Sequence, residues 1–137
     1  MNLTVRVYYE DTDSGGVVYY ANYLKYLERA RTELLRRLGF EQRQLADETG
    51  LAFAVRSLAA EYLRPARLDD LLDITTAVED LGRAQVTFAQ TVRRGDETLL
   101  TAKVRVACLD LAKGKAAAMP RAIHEQFKTL TSTLPPV

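Results

Sequence analysis

The distribution of apolar and polar residues predicts one strand and then one long amphipathic helix at the start of the chain. Apolar and polar residues alternate over 3–9, which is the two-residue period of a β-strand with one buried face. From Asn22 apolar residues recur every three or four positions and therefore share one helix face. We predict that this helix begins at an Asn22 N-cap and stops at Gly39. Its core-facing stripe is formed by Tyr23, Leu27, Ala30, Leu34 and Leu38.

The remainder of the chain is predicted to be mostly strand. A short helix near 41–48 ends at Gly50, and alternating segments follow it, separated by turns that contain glycine. The predicted strands are 51–63, 71–80, 83–94 and 98–110. A last short helix is expected over about 121–130, and Pro135-Pro136 belongs to a tail.

This order of elements predicts an α+β fold. A long antiparallel sheet with one covered face needs an apolar partner, and the chain offers one long helix for that purpose. We therefore expect a curved sheet wrapped around one central helix. The chain of 137 residues suits a single domain, 1–137, with a core of about 3–130 and a short C-terminal tail.

Composition narrows the class of protein. Hydrophobic residues at 47% and charged residues at 27% are ordinary for a globular domain, and a net charge of +1 gives no reason to expect nucleic acid. The N-terminus lacks the apolar core of a signal peptide, and no run approaches the roughly 18 apolar residues of a membrane span. Cys108 is the one cysteine, and we interpret it as a buried small hydrophobe. A cytoplasmic protein without membrane insertion is expected.

The stretch YYEDTDSGGVVYYANY at 8–23 has the most unusual composition. Three carboxylates fall within four residues, and two glycines and an apolar run follow them. Asp-Ser-Gly is ordinary turn chemistry, so the pattern alone leaves both a turn role and a catalytic role open for Asp13. We interpret Glu10 and Asp11 as solvated charges at the strand end. Tyr9 lies on the side of the strand that is predicted to face the core, so packing is expected, with contact to the Asp13 carboxylate as the alternative.

A metal site made of Glu10, Asp11 and Asp13 is not favoured. The stretch supplies no histidine, and the spacing is not that of a hard-cation loop. We predict no metal.

The longer stretch YYEDTDSGGVVYYANYLKYLERAR resembles the YbgC branch of the 4-hydroxybenzoyl-CoA thioesterase family. EYLRPARLDD at 61–70 resembles that family's segment between its second and third long strands, and the order of elements agrees over about 3–130. The resemblance implies the hotdog fold. In the family the second aspartate of a D-x-D element is the catalytic carboxylate, and a backbone N–H seven residues later polarises the thioester carbonyl. These positions are Asp13 and Tyr20 here.

One position departs from the YbgC pattern. Members of that branch usually carry histidine where this sequence has Tyr20, whereas the hydroxybenzoyl branch carries tyrosine and uses the main-chain N–H. Because of this difference, the resemblance implies neither a step assisted by histidine nor a particular substrate. The role of the backbone N–H in binding the thioester carbonyl does not depend on the side chain and is kept.

The resemblance implies an acyl-CoA thioesterase that hydrolyses a thioester to a free carboxylic acid and CoA without a cofactor. Asp13 would act either as the nucleophile or as a general base, and the sequence does not separate the two roles. Gly15 and Gly16 allow a sharp turn and a close approach of ligand to backbone. The residues expected to bind substrate are Tyr9, Gly16, Val17, Val18 and Tyr19.

Two other activities and several partners are also considered. The same pocket could serve a non-catalytic module that binds acyl-CoA or acyl carrier protein. A hydratase or dehydratase is disfavoured because the single histidine, His124, lies far from the helix start. The resemblance implies a homodimer or homotetramer with sheets joined edge to edge and pockets at the subunit interface. The phosphates of CoA could meet Arg64, Arg93, Arg94 or Lys103.

Overall fold

The structure, a computed structural model, describes residues 1–132. The helices are α1 (Asn22–Arg37), α2 (Gln42–Thr49) and α3 (Arg121–Ser132), and a 3-10 turn covers Tyr9–Asp11. The strands are β1 (Asn2–Arg6), β2 (Leu51–Tyr62), β3 (Leu71–Leu81), β4 (Gln85–Arg94), β5 (Glu97–Asp110) and β6 (Lys115–Ala116). The predicted sequence of strand, long helix, short helix, four long strands and final helix is confirmed. The predicted tail at Pro135-Pro136 lies outside the described residues.

All the long strands join one antiparallel sheet in the order β1-β3-β4-β5-β2, and β6 pairs with the end of β5. The register places Ile74 opposite Val92 and Val92 opposite Leu100, so the buried alternate residues of the central strands share one face. β1 and β2 are the outer strands. β2 is the longer of the two, and one of its edges has no partner strand within the described chain.

The covered face of the sheet packs against α1. Tyr23, Leu27, Ala30 and Leu34 are buried, as predicted for the stripe, and Tyr26 and Leu35 widen it. Leu38, its predicted last member, is half-buried at the C-cap. α3 covers part of the same core, since Phe127 lies against Phe88 with ring centroids 5.8 Å apart. The sequence predicted α3 as a helix but not as a contributor to the core.

A buried polar group fastens α1 to the sheet. The Gln90 side chain donates to the carbonyl of Leu27 at 3.0 Å and to the hydroxyl of Thr76 at 2.9 Å. Its oxygen accepts a hydrogen bond from the Arg31 guanidinium at 3.0 Å. Because each polar atom of this buried amide has a partner, the network fixes the position of the helix on β3 and β4.

The first strand is shorter than predicted. Alternation continues to Tyr9, but the ladder ends at Arg6 and the chain turns. Val7 is fully buried, whereas Tyr9 is 81% exposed in the 3-10 turn. The expectation that Tyr9 packs in the core is therefore wrong. The alternation of apolar and polar residues continues beyond the end of the strand, because it shows which residues share a face but not where the hydrogen bonds to the next strand stop.

The start of α1 also differs from the prediction. Asn22 is the first helical residue and Ala21 occupies the cap position, so Asn22 is not the N-cap. The Asn22 amide instead donates to the carbonyl of Asp11 at 2.8 Å. At the other end Gly39 adopts a left-handed conformation with φ of 93°, consistent with the predicted stop.

Two further features agree with the predictions. Cys108 is a free, buried cysteine, as predicted. None of the helices within residues 1–132 has the length and the apolar character needed to cross a bilayer.

Candidate active site

The segment between β1 and α1 forms a tight hairpin turn. Thr12 and Val18 pair in antiparallel fashion, and the Asp13 N–H donates to the carbonyl of Val17 at 2.9 Å. The Gly16 N–H closes the turn by donating to the carbonyl of Asp13 at 3.1 Å. Gly16 has φ of 77°, a left-handed conformation that side chains rarely adopt. The two glycines of the motif therefore build a defined turn rather than a flexible linker.

The Asp13 side chain is held on one oxygen and free on the other. Its Oδ1 accepts the Gly15 N–H at 2.8 Å, and within the described chain its Oδ2 has no hydrogen-bond partner. A Cβ at Gly15 would lie 3.2 Å from this Oδ1, so a larger residue would press on the carboxylate. Asp13 is exposed in the single chain. The turn role and an available carboxylate oxygen are thus present in the same residue.

Tyr20 lies in the turn just before α1, not in the first turn of the helix. Among the described residues no acceptor binds its N–H. Its carbonyl accepts the hydroxyl of Tyr62 at 2.9 Å, and the two rings meet edge to face with centroids 6.4 Å apart. Burial raises the pKa of Tyr62, and the neighbouring Tyr20 hydroxyl raises it to a smaller extent. Tyr62 was not predicted as a residue of the candidate site, although it lies in the EYLRPARLDD segment that carries the resemblance.

Asp11 holds the site together and is not the solvated charge that the sequence suggested. Its carboxylate accepts the Tyr8 N–H at 2.9 Å. Its carbonyl accepts both the Tyr19 N–H at 2.9 Å and the Asn22 amide at 2.8 Å. The first bond closes the 3-10 turn, and the other two connect it to the residues on both sides of Tyr20. The first aspartate of the D-T-D element is therefore structural in this chain.

The loop between β2 and β3 supports the other side of the hairpin. The Val18 N–H donates to the carbonyl of Ala66 at 2.9 Å, and Val17 pairs with Arg67. The Ala66 N–H in turn donates to the hydroxyl of Tyr23 at 2.9 Å, in the first turn of α1. Burial raises the pKa of Tyr23, so this hydroxyl is neutral at ordinary pH. One buried residue of the loop thus contacts both the hairpin and the helix.

The residues predicted to bind substrate differ in accessibility. Gly16 and Tyr19 are exposed, Val17 is half-buried, and Val18 is packed in the core with 4% exposure. Tyr9 lines a groove with Tyr8, Glu10, Leu68 and Asp69. The structure brings Gly16 to Tyr19 into the same hairpin as Asp13. Their contact with substrate stays a prediction.

A groove runs between α1 and β2. It has a volume of about 520 Å³ and is lined by Leu24, Lys25, Glu28, Arg31, Val55 and Leu58. It shares Glu28, Arg31 and Val55 with a smaller cavity of about 110 Å³, which continues towards Phe53 and Phe127. Burial lowers the pKa of Arg31, and within the described chain no carboxylate forms an ion pair with it. The groove thus has an apolar wall of Leu24, Val55 and Leu58, and three charged side chains line the rest.

The four cations considered for CoA phosphates all have partners in the chain. Arg64 pairs with Glu97 at 3.0 Å and Lys103 with Glu79 at 3.0 Å. The Arg93 guanidinium donates to the carbonyl of Asp96 at 3.0 Å. Arg94 pairs with Asp70 at 2.6 Å and also with Glu97.

Metal ligands do not converge in the part of the chain that the structure describes. Residues 1–132 contain no cluster of three or more His, Cys, Asp or Glu side chains arranged to hold a metal ion. His124 lies on α3.

Comparison with known proteins identifies the class. A family model described as the thioesterase-like superfamily matches residues 7–127. The acyl-CoA thioesterase YbgC of Haemophilus influenzae is 50% identical over 126 residues, which cover 92% of this chain and 93% of that protein. The acyl-CoA thioester hydrolase YbgC of Escherichia coli is 48% identical over 125 residues, covering 90% and 92%. The crystal structure of a probable thioesterase from Bartonella henselae superposes with a TM-score of 0.82 at 39% identity, covering 88% of this chain and 98% of that one.

The chain therefore belongs to the thioesterase-like superfamily. The hotdog fold predicted from the sequence is confirmed. The chain is a thioester hydrolase, the first of the three activities considered.

Proposed function

We propose that the protein hydrolyses acyl-CoA thioesters to a free carboxylic acid and CoA, with Asp13 and the Tyr20 N–H as its catalytic groups. One observation carries the proposal: a short segment contains a carboxylate with a free oxygen and a backbone N–H with no acceptor in the described chain. The names of the two YbgC relatives support acyl-CoA as the substrate. CoA is part of that substrate, and no cofactor is needed.

The chemistry requires an activated oxygen and a stabilised oxyanion. Asp13 either attacks the thioester carbonyl carbon, giving a mixed anhydride that water then hydrolyses, or takes a proton from the attacking water. In both cases the C–S bond breaks and the thiolate leaves with the electron pair. The Tyr20 N–H donates to the carbonyl oxygen as negative charge develops on it, and a donor of this kind contributes about 3–4 kcal/mol in a dry site. The Tyr20 role needs only a main-chain N–H, so the absence of histidine at this position does not remove it.

The direct test replaces Asp13 by Asn. Asn keeps an Oδ1 that can accept the Gly15 N–H, so the turn is retained while the charge is lost. We expect kcat in a thiol-release assay to fall by about 10²–10⁴-fold with an unchanged melting temperature. Glu10→Gln is the matched control, since Glu10 is an exposed acid of the same segment. Full turnover by Asp13→Asn would refute the mechanism.

An isotope experiment separates the two roles of Asp13. In a single turnover in ¹⁸O water, a nucleophilic carboxylate incorporates ¹⁸O when its anhydride is hydrolysed at the aspartyl carbon. A general base leaves the peptide mass unchanged and sends the label to the released acid, as does hydrolysis of the anhydride at the acyl carbon, so label in the peptide is the result that identifies a nucleophile. Mass spectrometry of the peptide that contains Asp13 reads the difference.

We propose that the acyl chain follows the groove between α1 and β2. Tyr62, Leu58 and Val55 lie on the helix-facing side of β2, since they pair with the buried residues Leu100, Val104 and Val106. Because the Tyr62 hydroxyl binds the carbonyl of Tyr20, this row begins beside the proposed oxyanion site. Leu24→Trp, which narrows the groove, should reduce turnover of long acyl-CoAs more than of short ones. An unchanged chain-length profile would contradict this path.

The exposed edge of β2 supports a homodimer joined through that strand, with a homotetramer as a further assembly. Val55 is 51% and Tyr62 48% exposed on a long outer strand, and such edges are usually paired or protected. Light scattering should give at least a dimer. A monomeric wild type at micromolar concentration would overturn this assembly.

The carrier of the acyl group can be tested with the same protein. We propose a cytoplasmic enzyme that prefers CoA to acyl carrier protein, and the reduced Cys108 fits that compartment. Matched thioesters of CoA and of acyl carrier protein, compared by kcat/KM, should favour CoA. A clear preference for the carrier protein would reverse the assignment.

A further inference from the structure

An ion-pair network lies at the end of β4, beside the loop that supports the hairpin. The Arg94 guanidinium bonds Asp70 Oδ2 at 2.6 Å through Nη1 and Glu97 Oε1 through Nη2. Arg64 binds the other oxygen of Glu97 at 3.0 Å. Isolated surface ion pairs contribute little, but a guanidinium that bridges two partly buried carboxylates gains both charge-assisted hydrogen bonds and fixed geometry.

Asp70 connects Arg94 to the loop between β2 and β3. The oxygen that binds Arg94 also accepts the Arg67 N–H at 2.8 Å, and the Asp70 N–H donates to the carbonyl of Arg67 at 3.1 Å. Arg94 additionally reaches the carbonyl of Pro65 at 3.4 Å. The loop from Pro65 to Asp70 is therefore closed on itself. Its last two residues also pair with Val7 at the end of β1 through backbone hydrogen bonds, and Arg94 is the attachment that reaches it from β4.

The loop holds the candidate catalytic segment by consecutive contacts. Arg67 pairs with Val17, and the carbonyl of Ala66 accepts the Val18 N–H. Val17 and Val18 form the returning arm of the hairpin, which leads to Tyr20, whereas Asp13 is at the turn. A shift of the loop would therefore move the returning arm and change the spacing between the Asp13 carboxylate and the Tyr20 N–H.

We propose that Arg94 is a positioning residue for thioester hydrolysis, acting through Asp70 and the 65–70 loop on the hairpin that carries Asp13 and Tyr20. The proposal rests on the proposed function for its kinetic consequence. It gives a role to the final aspartate of EYLRPARLDD, and it removes Arg94 from the residues considered for CoA phosphates. Small displacements of reacting groups are costly, since about 1 Å can lower the rate by roughly 10²-fold.

The test compares Arg94→Met with Arg36→Met in the full-length protein. Arg36 is the matched control because it also bridges two carboxylates, Glu33 and Glu41, but at the other end of α1. We expect Arg94→Met to lower kcat by about 10–100-fold with KM for acyl-CoA changed less than about threefold. Arg94→Lys should restore part of kcat, and added guanidinium at low millimolar concentration should partly rescue Arg94→Met. Arg36→Met should leave kcat unchanged.

Three kinetic outcomes would overturn the proposal. A raised KM with unchanged kcat in Arg94→Met would mean that Arg94 binds the CoA moiety directly. An equal loss of kcat in Arg36→Met would indicate general destabilisation, and full kcat in folded Arg94→Met would remove the role altogether. If Arg94→Met does not fold, Asp70→Asn tests the same link, because it weakens the bond to Arg94 with little change in volume.

Amide hydrogen exchange decides the structural step without any assay of activity. We expect Arg94→Met to lose protection at the Val18 and Ala66 amides, while amides of α1 near Arg36 keep theirs. Unchanged protection at Val18 would contradict the proposal even if kcat falls. A wild type without thioesterase activity would refute the proposed function alone, and the exchange result would still decide the Arg94 linkage.

Discussion

Replacing Tyr23 by Phe removes a single oxygen from the point where α1 meets the loop between β2 and β3. Tyr23 is 3% exposed, and its hydroxyl accepts the N–H of Ala66 at 2.9 Å. Ala66 itself is fully buried. Without the Tyr23 hydroxyl, the Ala66 N–H would remain buried and would have no acceptor in the described chain.

The magnitude follows from that orphaned donor. A buried polar group left without a partner costs about 1–3 kcal/mol. The ring is retained, with its edge contacts to Tyr26 at 6.3 Å and Tyr62 at 5.5 Å, so no large cavity term is added. With an m-value of about 2 kcal/mol/M, the urea midpoint should fall by roughly 0.5–1.5 M. Wild type and variant are compared at equal protein concentration, because association would add to apparent stability.

Tyr26→Phe is the matched comparison on the same helix. Tyr26 is 1% exposed, and its hydroxyl has no hydrogen-bond partner in the described residues. Burial raises the pKa of Tyr26, and the nearby Asp11 carboxylate raises it to a smaller extent. The Tyr26 hydroxyl and this carboxylate are close but do not form a hydrogen bond. Removing this hydroxyl should change stability by less than about 0.5 kcal/mol or increase it. Equal urea midpoints for Tyr23→Phe and Tyr26→Phe would refute the reasoning.

Three other predictions concern stability and accessibility. Hydrogen bonding to Arg94 lowers the pKa of Glu97, so the stabilising contribution of this carboxylate is complete above the ordinary value of 4.5 and is lost as pH falls through the lower folded value. The melting temperature should therefore fall less between pH 7 and pH 3 in Glu97→Gln than in the wild type, and an equal fall would contradict this. Burial raises the pKa of the Cys108 thiol, so a thiol reagent at pH 8 should label it only in denaturant, and rapid native labelling would disprove this. Gln90→Leu leaves the Arg31 guanidinium without its acceptor and should cost about 2–4 kcal/mol in urea unfolding, which an unchanged midpoint would exclude.

The sequence predicted the regular part of the fold because burial on one face produces a period. β3 buries Leu72, Ile74, Thr76 and Val78, and this two-residue spacing can be read directly from the order of residues in the chain. The helical period likewise predicted the stripe of α1, but the buried face is wider, since Tyr26 and Leu35 lie beside the stripe and are also buried. The predicted β1 is too long, reaching Tyr9, because alternation does not mark where strand pairing ends.

The local part of the candidate site was predictable for a different reason. Asp-Ser-Gly-Gly is a turn sequence, and Asp13 and Gly16 make the turn that such a sequence favours. The supports of the site were not predictable. Tyr62 binds the carbonyl of Tyr20 across 42 positions, and Tyr23 binds Ala66 across 43. Bonds between residues so far apart in sequence depend on the folded sheet and leave no short-range signature.

The two aspartates of the D-T-D element show why a turn role and a catalytic role need not compete. Asp11 is half-buried; its Oδ2 accepts the Tyr8 N–H and its carbonyl accepts two further donors, so it fixes the segment. Asp13 has one oxygen held by the Gly15 N–H and one with no partner in the described chain. A nucleophile or general base must be fixed in orientation and still present a free lone pair. An aspartate that closes its own turn through one oxygen meets both conditions, and so the turn geometry is what makes Asp13 suitable for the proposed chemistry.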